Sequence, residues 1–80
     1  MGYAKSEKEL ADRVARHLKA ELKRAGITYE ELAQRLKKHG LPDETVDSIK
    51  AKLKRGTFAA TFFLAALAAL NLEGVSLEDL

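Results

Sequence analysis

The chain has no cysteine, a single proline (Pro42), and no basic residue after Arg55. Lack of cysteine excludes disulfides, thiolate metal sites and thiol nucleophiles, and it suits a reducing cytoplasm. The uncharged stretch 59–72 is shorter than the ~20 apolar residues a membrane-spanning helix needs, so no membrane partner is expected. The polar start does not read as a secretory signal peptide. His17 and His39 stand 22 positions apart with no spaced carboxylate partner, a poor basis for a metal site, and no cofactor is expected. No nucleophile–base arrangement or glycine-rich phosphate loop appears, and the five glycines read as caps or termini. An enzyme is therefore not expected. No segment alternates with period two, which argues against a sheet.

What is present fits one small globular domain. Eighty residues give one domain, here 1–80, with a limited core, and such domains often gain stability by pairing. Charge is unevenly placed. All 14 Lys and Arg lie within residues 1–55 beside nine acids, whereas residues 56–80 hold three acids and no base. The two parts carry +5 and −3. Such a split orients a protein on a polyanion, or it reflects a solvated helical surface followed by a buried helix.

Periodicity divides the chain into helices. Residues 1–6 read as a loose start that includes Tyr3. Ser6 and Glu9 fit a capping box, Leu10, Val14, Leu18 and Leu22 form a stripe widened by Ala11, Ala15 and Ala25, and Gly26 closes the first helix. Glu9–Arg13 and Asp12–Arg16 have the spacing of ion pairs on its wet side. Thr28 and Glu31 form a second box, and Tyr29, Leu32, Ala33 and Leu36 share the inner face of a helix ending at Gly40. Pro42 marks a restart with Asp43 as N-cap, and a third helix runs to Arg55 on Val46, Ile49 and Leu53. Thr57 caps a fourth helix, apolar on all sides, that Gly74 breaks. Ser76 then caps a final turn. Phe62 and Phe63 stand about 100° apart on that helix, so both fit one core only if it is central, and otherwise one faces a partner.

The third helix carries the candidate site. Lys50, Lys52, Lys54 and Arg55 place four bases in six residues, suited to clamping phosphates beside an inserted helix or to complementing the helix dipole. Asp47, Ser48 and Ala51 point away from the core and lie nearest any base edges. Acids at Asp43, Glu44 and Asp47 either read a cytosine amino group or repel phosphates. Arg35, Lys37 and Lys38 form a second, weaker patch at the end of the second helix.

Short capped helix, glycine-containing turn and basic helix is the order of a helix-turn-helix. Ile-Thr-Tyr-Glu-Glu-Leu-Ala-Gln-Arg-Leu resembles the second helix of Cro/C1-type repressors, and the segment from Ile49 to Gly56 resembles their recognition helix. The Val-Ser-Leu-Glu-Asp-Leu ending is also similar. The sequence looks closer still to a group of small bacterial proteins of the DUF6471 type. Those share Leu-Lys-Arg-Ala-Gly-Ile-Thr-Tyr-Glu-Glu-Leu-Ala, Ser-Ile-x-x-Lys-Leu-x-Arg-Gly-Thr-Phe and the paired phenylalanines, over roughly residues 18–80. Tyr29 stands where the repressors often have glutamine, and the connection from Lys37 to Asp43 is longer than theirs.

The resemblance implies an all-α, lambda repressor-like domain of four to five helices. It also implies binding of duplex DNA, as a transcriptional regulator or a nucleoid-associated factor; separately, the absence of cysteine suits the cytoplasm, and the uncharged helix between Ala59 and Leu72 is expected to pair two copies as a homodimer. A protein-interaction module that kept the fold without binding DNA, and an RNA-binding protein, are the rival readings.

Overall fold

A computed structural model describes residues 4–80. Helix α1 spans Glu7–Ala25, α2 Tyr29–Lys37, α3 Val46–Arg55 and α4 Ala60–Ala69, followed by a 3-10 turn at Leu77–Asp79. The class is all-α as expected, with no strand among the described residues. Nineteen residues make α1 about 28 Å long, which sets the longest of the molecular extents, 35 × 22 × 19 Å. Helix α3 packs against α1 and α2, and α4 packs against α2. Tyr3 lies outside the described residues.

Caps fix the helix ends, not always with the expected residues. Ser6 Oγ accepts the Glu9 N–H at 3.1 Å, but the Glu9 carboxylate accepts from the Lys5 N–H rather than completing the box. Thr28 Oγ1 likewise accepts the Glu31 N–H at 3.1 Å, while Glu31 pairs with Arg35. The complete box belongs to α3, where Thr45 and Ser48 exchange side-chain and backbone bonds. The helix thus starts after Thr45, two residues later than an Asp43 cap would place it, and the connection from α2 occupies residues 38–45. Helix α4 has no side-chain cap, since Ala59 rather than Thr57 occupies the N-cap position. Its end is set by Asn71 at φ 60, with Asn71 N–H bonding Ala68 and Leu72 N–H bonding Leu67, a Schellman arrangement that precludes the later break expected at Gly74.

The core joins Leu18 and Leu22 of α1, Leu32, Ala33 and Leu36 of α2, Ile49 and Leu53 of α3, and Phe62, Ala65, Ala66 and Ala69 of α4, with Leu70. Among the described residues no polar or charged residue is fully buried. On α1 the inner face is Ala11, Ala15, Leu18 and Leu22; Leu10 is exposed and Val14 half-buried. Residues four apart drift about 40° per step around a helix, so a stripe of period four cannot stay inside over three turns. Asp12 pairs with Lys8 rather than Arg16, while Glu9–Arg13 forms at 2.6 Å.

Phe62 is buried at the centre of α4's inner side. Phe63 is half-buried, its ring stacked on Phe58, whose other contact is edge-on with Phe62 at 5.1 Å. The segment before α4 therefore accommodates the second phenylalanine from within the chain. Thr61, Leu64 and Ala68 form the uncovered side of α4, with Leu64 63% exposed.

Candidate nucleic-acid interface

Helix α3 turns Ile49 and Leu53 into the core and leaves Asp47, Lys50, Ala51, Lys54 and Arg55 exposed. Those spacings of three, four and seven residues fall on one side of a helix. None of Lys50, Lys54 or Arg55 has a carboxylate within 4.0 Å among the described residues. Three unpaired cations thus flank Ala51, whose methyl is the shortest side chain on this face.

Four residues expected at this surface serve the fold instead. Lys52 Nζ lies 3.1 Å from each carboxylate oxygen of Glu44 and 5.4 Å from the centre of the Phe62 ring. Glu44 Oε1 also accepts the Ser48 hydroxyl at 2.6 Å. The Glu44 side chain is only 13% exposed, so this acid leaves the outer face and closes the α2–α3 connection onto α3. Ser48 Oγ, besides donating to Glu44, accepts the Thr45 N–H at 2.8 Å and is no free reader of a base edge. Arg35 donates to the Ala69 carbonyl at 2.8 Å and pairs with Glu31 at 2.8 Å. Helix α4 has no basic residue in its own last turn, so Arg35 supplies from α2 the positive charge that its C-terminal carbonyls attract. Lys37 and Lys38 remain exposed at the end of α2, and of the acids at the start of α3, Asp43 and Asp47 stay exposed.

A second basic surface lies on α1, outside the residues expected from the sequence. Arg13, Arg16, His17, Ala20, Glu21 and Arg24 of α1 line a cleft of about 660 Å³ with Asp79 and Leu80. Their spacing was visible in the sequence, but only the fold brings the last turn against them. Among the described residues no group of three or more His, Asp or Glu is placed to hold a metal ion, and no helix is long and apolar enough to cross a membrane.

A sequence profile for a family described as a domain of unknown function, DUF6471, matches residues 1–75. The match takes in the whole of α1 and so extends beyond the resemblance, which begins at about residue 18. No curated protein and no solved structure matches the chain.

Proposed function

The chain belongs to the DUF6471 family, whose description assigns no function, and from the outward face of α3 we propose that it binds duplex DNA as a helix-turn-helix protein. Helix α2 braces α3, and α3 is the element that enters the major groove. Lys50, Lys54 and Arg55 neutralise phosphates, with Lys37 and Lys38 as further anchors. Asp47 and Ala51 lie nearest the bases, where an alanine methyl packs against thymine and a carboxylate accepts from a cytosine amino group. The eight residues between α2 and α3 exceed the usual three- to four-residue turn, so the arrangement is a widened form of the lambda repressor-like unit. A second copy, docked on the uncharged side of α4 at Leu64, gives the two-fold symmetry of a regulator on a palindromic site.

One observation carries this reading: three cations without carboxylate partners among the described residues share the solvent face of a helix whose other lysine is withdrawn into the fold. Fluorescence anisotropy with a random duplex at two salt concentrations tests it. Binding that weakens steeply with salt is the expected result, because phosphate contacts release counterions. A folded sample that shows no binding at low salt overturns it. That outcome, with self-association retained, leaves the protein-interaction module, a reading that the exposed Leu64 also favours. Single-stranded and hairpin RNA competitors decide between RNA and duplex DNA.

A further inference from the structure

The cleft on α1 lies on the side of that helix opposite the core. Arg13, Arg16, Ala20 and Arg24 follow one another at spacings of three and four, which places them in one stripe along the helix. Ala20 has no side chain beyond Cβ, so the middle of the stripe is a floor between cationic ends. Arg16 and Arg24 are about 12 Å apart along the axis. Asp79 and Leu80 stand over the opening, held there in part by Arg13, whose guanidinium donates to the Leu80 main-chain oxygen at 3.5 Å. Glu21 is engaged by Arg24, and its side chain is only 11% exposed. Arg16 is exposed with no carboxylate partner within 4.0 Å among the described residues, and His17 stands beside it half-buried.

The size and charge of this cleft distinguish it from the α3 face. Its volume falls within the ~300–1,000 Å³ range typical of small-molecule sites. A continuous polyanion would run past Asp79 and meet repulsion. A small anion can sit at Arg16 and leave a carboxylate to accept hydrogen bonds from hydroxyl groups. Arg16 offers the planar, forked donor set that matches a phosphate, and His17 lines the same cleft with a ring that can donate a hydrogen bond.

We propose that the α1 cleft binds a small phosphorylated polyol of mononucleotide size, with Arg16 and His17 on the phosphate and the Asp79 carboxylate on a hydroxyl. The site is independent of the α3 face, so it stands or falls apart from the DNA-binding reading.

Backbone amide chemical shifts of labelled protein test this, using inorganic phosphate, adenosine monophosphate and a short duplex as probes. Adenosine monophosphate should give saturable shifts confined to residues 13–24 and 77–80, and inorganic phosphate weaker shifts at residues 13–17. Arg16→Ala, at an exposed position, should weaken adenosine monophosphate binding by about tenfold or more, the effect of losing a charge-assisted hydrogen bond. Ala20→Leu should block it by filling the floor, with the melt unchanged. Lys54→Ala should leave it intact. No shift in the cleft with either small probe overturns the proposal. So does a duplex that shifts cleft residues as strongly as it shifts α3, because the cleft is then part of a nucleic-acid surface.

Discussion

Gly56 closes α3 directly against the backbone of Ala11 in α1. It sits at φ +71, and a Cβ built on it would lie 2.7 Å from the Ala11 carbonyl carbon and 2.9 Å from the Ala11 Cβ. Two constraints therefore meet at one residue. The left-handed conformation ends α3, and the missing side chain lets α3 and α1 approach at that end.

Gly56→Ala should consequently cost more than Gly26→Ala. Gly26 has nearly the same backbone, φ +70, but a Cβ there would meet nothing within 4 Å. The conformational penalty alone is about 1–2 kcal/mol, and overpacking against backbone adds about 1–3 kcal/mol. Urea unfolding of the two variants measures the difference. Equal losses would mean that the contact with α1 relaxes freely.

Lys52→Ala and Lys54→Ala should separate stability from binding. Lys52 joins Glu44 and lies over Phe62, so its removal should destabilise by about 1–3 kcal/mol, as loss of a charged hydrogen bond does. Lys54 is exposed and unpaired, and its removal should leave the melt within error. A double-mutant cycle with Glu44→Gln isolates the Lys52 contribution, and a coupling near zero would show that the pair adds nothing to the fold.

Lys50→Ala, Lys54→Ala and Arg55→Ala should each weaken duplex binding about equally across sequences and lower the salt slope by roughly one unit. The readout is anisotropy against salt for each variant. Parent-like binding by all three would remove α3 from the contact surface.

Leu53→Ala and Leu64→Ala should behave oppositely although both remove a leucine from a helix. Leu53 is 2% exposed, and truncation there should cost about 2–5 kcal/mol. Leu64 is 63% exposed, so the monomer loses little, but a dimer docked on α4 should dissociate. Sedimentation at micromolar concentration checks this. A parent chain that sediments only at 8.8 kDa would remove the second copy from the proposal.

Helix identity was legible in the sequence because it depends on neighbours a few positions apart. The side-chain cap bonds of Ser6 and Thr28, the left-handed glycines Gly26 and Gly56, and the buried Leu32, Leu36, Ile49 and Leu53 all follow from local spacing. The cationic residues that stay on the outer face of α3 were legible for the same reason. What only the tertiary structure decided is which charges remain available. Arg35 reaches the end of α4, 34 residues away, and Lys52 reaches back to Glu44 across the start of α3 and over Phe62. A long basic side chain has enough reach and freedom to serve either solvent or a distant carbonyl, and periodicity records only the direction in which it leaves the helix. The α1 cleft is the same case, because its wall is a turn more than fifty residues further along the chain.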